Sequence, residues 1–369
     1  MPKFTPGSKS TLSLFLLLLS AGVLTLMIFF FYPPLISSLV KIQNKNLSDA
    51  YPTFQKFRPI KPLSISPPQS INYTNQRTNT TISLPPAGEL DSTHLQNCTI
   101  NLSSATRLNN NYIGDSTLNL SGTNIAVINS VLDNVQINIG SNSLARILNT
   151  TIQNNTRPIH ITQARLSIEN SRFQNSNANP LFQISGRSEV KAINSEFKNN
   201  NGTIFLTQQQ EVTDAEGKIT RLVPRLLIDH SLFDSNHQTS ILLAEINQMG
   251  TKIANNIFTG GTLPYIEITD SKSNPYITIE NNSFTNQGIG IRNSNHIIIW
   301  ANKFSQINDY GVKIVDSNLI AFQYNLFENI SPAAVFSQNT PQIELVENIL
   351  KNTAQEIVFE PVSKGKDRP

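Results

Sequence analysis

The sequence predicts an all-β fold: a solenoid of about eleven stacked coils, preceded by one transmembrane helix. Three observations predict it. One apolar slot recurs about every 20–26 residues along most of the chain, a period that marks repeat architectures. Around each slot, small polar residues and period-two apolar pairs recur at fixed offsets, the pattern of half-buried strands. An uncharged apolar run near the N-terminus has the length of a membrane span.

The slot is plainest in Ile277–Phe284, where it holds Phe284. Elsewhere it holds Leu132, Ile152, Phe173, Phe197, Phe233, Phe258, Phe304, Phe327 and Leu350, with Ile100 or Ile113 in an earlier copy. Two residues before it stands Ser or Thr in early copies (Ser130, Thr150, Ser171, Ser195, Ser231) and Asn in late ones (Asn256, Asn282, Asn302, Asn325, Asn348). Three before it is often another Asn, as at Asn129, Asn149, Asn170, Asn194, Asn255 and Asn281. Asn tolerates the left-handed backbone of a sharp corner, and its amide can bond to the same residue in the coils above and below. Ahead of the corner runs an apolar pair such as Leu166/Ile168 or Ile297/Ile299, and between slots a second pair, such as Phe182/Ile184, Ile204/Leu206 or Ile289/Ile291. Each period therefore reads as two short strands and a bend. A lone coil cannot bury its apolar face, whereas stacking at the ~4.8 Å strand spacing buries all of them in one column.

Composition agrees. The 369 residues are 38% hydrophobic and only 14% charged. Asn makes up roughly one residue in eight, far above ordinary usage. A net charge of +3 gives no reason to expect a nucleic-acid partner. The single cysteine, Cys98, excludes an intrachain disulfide and a Cys-based metal site, and reads as a small buried hydrophobe.

In chain order, residues 1–10 form a short polar segment placed in the cytoplasm. Residues 11–32 are an uncleaved anchor, longer than a signal-peptide core and ending in aromatics and Pro33-Pro34. Residues 33–90, punctuated by Pro52, Pro59, Pro62, Pro67-Pro68 and Pro85-Pro86, read as a stalk, because Pro supports neither a long helix nor a central strand. The solenoid occupies 91–360 outside the cytoplasm, periplasmic or extracellular. An insertion at 207–225 breaks its rhythm, as a loop or hairpin turning near Ala215–Lys218; it is either a tolerated surface insertion or part of a binding face, where solenoid insertions often gather. Residues 361–369 are a polar tail.

This pattern of slots, corner Asn residues and paired strands resembles the right-handed parallel β-helix superfamily, which includes pectate lyases, polygalacturonases, alginate epimerases and many bacterial β-helix repeat proteins. The resemblance covers roughly residues 95–360 and implies a fold, since the repeat is structural. The catalytic sets of those enzymes are not found. The Asn-Thr-Asp, Gly-His-Gly and Arg-Ile-Lys of polygalacturonases are missing, and the Asp-Pro-His of epimerases has its nearest text in Asp229-His230-Ser231, without the proline. No cluster of carboxylates for Ca²⁺ is evident, so no cofactor is expected; Ca²⁺ enters only if the protein is a lyase.

Two groups of residues are candidates for chemistry. Asp229, His230, Asp234 and His237 are the densest titratable set, suited to acid–base work or to binding a metal; the alternative is that His230 replaces a corner Asn and the rest are solvated. Aligning Ile268, Ile291 and Ile314 puts Glu267 and Lys313 in one outward column, with Arg292 one column over. These are a sugar-carboxylate site or ordinary cross-strand charge pairing. Trp300, read as outward and near Tyr310 and Tyr324, offers a ring for a sugar or packs under a loop. The function expected is a membrane-anchored, non-catalytic polysaccharide- or surface-binding scaffold. The alternatives are a polysaccharide lyase, hydrolase or epimerase with a divergent site, and a structural or protein-assembly spacer in the cell envelope.

Overall fold

The computed structural model describes residues 58–60, 65, 73–244 and 250–360, all within one compact unit, Lys56–Pro369. The apolar run 11–32 and the tail 361–369 lie outside the described residues. Among the described residues no helix is long and apolar enough to cross a membrane.

Each coil contributes three strands to three long parallel sheets. Sheet A has 13 strands from Asn75–Thr78 to Ile349–Lys351, sheet B 13 from Thr81–Leu84 to Ile357–Glu360, and sheet C 12 from Glu89–Asp91 to Ile343–Val346. The expected solenoid is present, with two differences. The bend carrying the slot is itself a strand, as in Arg172–Gln174 or Glu196–Lys198; three residues are too short to show alternation in sequence. The solenoid also begins at Asn75, within the segment read as stalk. There Pro85-Pro86 occupies a turn between strands, closed by the Gly88 N–H donating to the Pro85 carbonyl at 2.9 Å.

Register confirms the slots. Leu95, Ile113, Leu132, Ile152, Phe173, Phe197, Phe233 and Phe258 succeed one another in sheet A. Ile113 is therefore the early slot residue, while Ile100 lies in sheet B opposite Leu118. From Phe173 to Phe327 the rings form one stack, with neighbouring centroids 4.6–5.2 Å apart and planes within 16°. That is the rung spacing itself, so each ring meets the next at van der Waals distance. One expected pair is displaced: Phe205 and Thr207, not Ile204 and Leu206, continue the buried column of Phe182 and Ile184. A one-residue slip exchanges the faces, and Phe205 stacks on Phe182 at 4.8 Å.

The corner before each slot uses its two residues differently. The first takes the left-handed backbone: Asn129, Asn149, Asn170, Asn194, Asn255 and Asn281 have φ of 48–56°. His230 does so too at 49°, as a corner Asn does. The second is buried and forms a ladder. Asn256, Asn282, Asn302 and Asn325 each donate Nδ2 to the Oδ1 of the next Asn at 3.0–3.1 Å. Cys98 is 2% exposed, inside the column.

The insertion is an antiparallel hairpin, Gln210–Thr213 with Ile219–Leu222. Its turn is held by the Asp214 N–H donating to the Lys218 carbonyl at 3.1 Å.

Candidate functional site

The titratable set after the hairpin is not assembled into one site. Asp229 ends a sheet C strand and Asp234 ends a sheet A strand, with Leu232–Asp234 between the two corners. Asp229 Oδ1 lies 2.9 Å from His230 Nδ1 and accepts from Asn255 Nδ2 at 2.8 Å, which makes it the end of an outward corner ladder. Asp234 instead pairs with Lys198 at 2.9 Å and accepts from the Ser235 hydroxyl at 2.8 Å. That contact raises the Lys198 pKa, through its hydrogen bond to Asp234 first and Coulombic attraction second. His237 serves by its main chain, its N–H donating to Asn200 O at 2.9 Å and its carbonyl accepting from the Thr262 hydroxyl at 3.0 Å. Among the described residues no three His, Cys, Asp or Glu converge on a common point for a metal.

The sheet B set does converge. Ile268, Ile291 and Ile314 are in register, and the outward column runs Glu267, Gly290, Lys313, Phe336, with Arg292 one column over between Thr269 and Val315. Glu267, Arg292 and Lys313 line one groove of about 220 Å³, together with Asp309 and Tyr310 from the turn entering the sheet. Among the described residues none of these three charges is in an ion pair. The cross-strand pairing reading of Glu267 and Lys313 is therefore not what the structure contains. The glycine in the column is the reason. Glu267 and Lys313 sit two rungs apart, roughly 10 Å, with no side chain between them.

Gly290 is not required by backbone or crowding. It lacks a left-handed φ, and an added Cβ would meet only Glu267 Cγ at an ordinary 3.5 Å. In the same column other coils carry His160, Gln183, Leu206 and Leu242. Its effect is to open the groove floor. Gly288, which also lines the groove, is by contrast required: its Cβ would lie 1.8 Å from the Gly311 carbonyl oxygen.

Next after Lys313 in the column is Phe336. This residue points outward yet is only 6% exposed, because Tyr310 covers it at 4.8 Å between centroids and Lys313 Nζ lies 5.5 Å above its ring. The cation–π contact and the tilted ring pair hold both groups at the groove edge. Asp309, Gly290 and Phe336 were not singled out in the sequence, and Tyr310 was read beside Trp300 rather than here, since their nearness depends on stacking three coils.

Trp300 lies elsewhere. It is half-buried on sheet C, in the column of Glu280 and Gln323, whereas Tyr310 belongs to the sheet B groove. Tyr324 takes the corner position after Gln323, with φ of 59°.

No curated protein matches the chain. Among solved structures, similarity is found to a periplasmic alginate epimerase (11% identity, TM-score 0.44, 74% of this chain and 79% of that one). It is also found to the catalytic domain of a GH87 alpha-1,3-glucanase in complex with nigerose (11% identity, TM-score 0.40, 82% and 70%). At such identities the likeness concerns the fold alone. The family described as "Right handed beta helix region" matches residues 212–359. The protein is thus a parallel β-helix solenoid whose C-terminal half carries the right-handed β-helix pattern.

Proposed function

We propose that the protein is a non-catalytic, membrane-anchored saccharide-binding scaffold, and that the sheet B groove holds one sugar unit of a longer glycan. The observation carrying this reading is the combination at Gly290: an open floor ringed by unpaired Glu267, Arg292 and Lys313 and walled by Tyr310. At about 220 Å³ the groove is smaller than the ~300–1,000 Å³ of pockets for drug-sized ligands, which suits a single ring whose chain continues along the surface. Arg292 and Lys313 would take a sugar carboxylate, Arg292 through its planar fork. Glu267 and Asp309 would accept from hydroxyls. The side of Tyr310 would support the apolar face of the ring. The anchor in this reading is the apolar run 11–32, which would hold the solenoid outside the cytoplasm.

Glu267, Asp309 and Tyr310 also supply acids and bases at one groove, so turnover belongs in the test. The full chain is screened on a glycan array, and the glycans bound are then incubated with it and analysed for products. Binding without products is the expected result. Chain cleavage, an unsaturated product or an epimerised sugar favours the lyase, hydrolase or epimerase alternative. Absence of any glycan binding favours the envelope spacer.

A further inference from the structure

The outward face of sheet C carries a second groove that involves none of these residues. Two adjoining hollows of about 470 and 370 Å³ share Thr123, Leu144 and Arg165 as lining. Arg187 and the hairpin residue Leu222 close one, and Arg146, Lys191 and Glu189 line the other. The insertion therefore forms a wall of this groove. Strand register explains the grouping. Leu144, Arg165 and Glu189 occupy one outward column on successive rungs, and Arg146, Ser167 and Lys191 the next.

The lining is strongly cationic although the whole chain carries only +3. Arg146, Arg165, Arg187 and Lys191 share the lining with one carboxylate, Glu189. Arg146 is paired with Glu169 at 3.3 Å. Among the described residues Arg165, Arg187 and Lys191 are exposed and have no ion pair. Clustered unpaired cations in a concave site focus positive potential and draw anions to it.

We propose that this groove binds a linear anionic glycan. Its cations are distributed over successive rungs ~4.8 Å apart, which suits charges repeated along a chain. Between them Thr123, Asn142, Gln163 and Ser167 offer neutral hydrogen-bonding groups for hydroxyls. Leu144, 40% exposed, gives an apolar spot for the C–H face of a sugar. Among the described residues no aromatic ring lines either hollow, and bases of single-stranded nucleic acids bind by stacking on such rings. The anionic group is a carboxylate or a sulfate ester, since both take the same partners.

The test measures binding of the full chain to a polyuronate, a sulfated dextran, neutral dextran of matched size and single-stranded DNA, at about 0.05 and about 0.3 M salt. Wild type is expected to bind a charged glycan, to weaken as salt rises, and to ignore neutral dextran. Arg165→Glu with Arg187→Glu is expected to weaken binding at least tenfold, and Leu222→Glu to weaken it from the hairpin wall without altering the strand column. Lys351→Ala, on sheet A and in neither groove, leaves this binding unchanged, and repeating the series in a Gly290→Phe background, which fills the sheet B groove, keeps the two sites apart. Preference for the polyuronate assigns carboxylates and preference for the sulfated glycan assigns sulfates. Equal binding of neutral dextran, unaltered affinity in both groove variants, or tighter binding of DNA than of either charged glycan overturns the proposal.

Discussion

Replacing Asn302 by alanine isolates the contribution of the buried ladder. Asn302 is fully buried. Its Oδ1 accepts from the Asn282 backbone N–H at 2.9 Å and from Asn282 Nδ2 at 3.0 Å. Its Nδ2 donates to the carbonyls of Ile279 and Trp300 and to Asn325 Oδ1 at 2.9–3.1 Å. After truncation, Asn282 Nδ2 keeps the Ile253 carbonyl at 2.9 Å, and Asn325 Oδ1 keeps the Asn302 N–H at 2.9 Å. The group left without a partner is the buried N–H of Asn282, at a cost of about 1–3 kcal/mol. Serine should do better. In early coils Ser130, Ser171 and Ser231 accept the preceding coil's N–H through Oγ at 3.1–3.2 Å. Asn302→Ser is therefore expected to cost less than about 1 kcal/mol.

Because solenoids unfold partly coil by coil, the sharper readout is native-state hydrogen exchange at the Asn282 amide, with urea unfolding beside it. Exchange should quicken roughly five- to hundredfold in Asn302→Ala, at tenfold per 1.4 kcal/mol, and much less in Asn302→Ser. Equal protection in Asn302→Ala and wild type, or equal losses in the alanine and serine variants, would refute the ladder argument.

Other outcomes follow from the same geometry. Phe258→Ala opens a gap in the ring stack between Phe233 and Phe284, at 4.6 and 4.9 Å, and is expected to cost about 3–5 kcal/mol; calorimetry should show a lower or split transition. Burial pushes the Tyr265 hydroxyl up to about 12 from 10.0. Folding holds that proton more tightly, so the stability it contributes is complete below pH 10 and is lost as pH rises through about 12. Alkaline titration of unfolding should show this loss in wild type and its reduction in Tyr265→Phe, which keeps the ring. Asp229→Ala and Asp234→Ala should leave glycan binding unchanged, since Asp229 ends a corner ladder and Asp234 pairs with Lys198; a tenfold loss in either would restore that cluster as a site.

Much of the fold was legible because each coil repeats a local demand. A left-handed corner calls for Asn, a buried column calls for Ile or Phe, and both recur at one spacing. The first coil was not legible, since Asn75–Thr78 is exposed and polar throughout and Pro85-Pro86 suggests a stalk. Its strands are held by the coil above, as where Asn75 to Thr78 pair with Thr93 to Gln96. The columns of Glu267, Lys313 and Arg292 were legible by aligning neighbouring coils. The groove between them was not, because it depends on the missing side chain at Gly290 and on Tyr310 folding over Phe336. The cationic groove was hidden for a similar reason. Arg146, Arg165, Arg187 and Lys191 are scattered in sequence and meet only through stacking, and the sequence does not tell which sheet face the hairpin joins.

If the open floor at Gly290 is a saccharide site, filling it must remove binding. Gly290→Phe tests it most directly, because phenylalanine suits an outward strand position and fills the floor without removing a charged group. Calorimetric titration of wild type and Gly290→Phe with a glycan bound on the array, with product analysis of the same samples, is the decisive measurement. Binding by wild type without turnover, at least a tenfold loss in Gly290→Phe and unchanged thermal stability are the expected results. Undiminished affinity in the variant, or product formed by wild type, would contradict them.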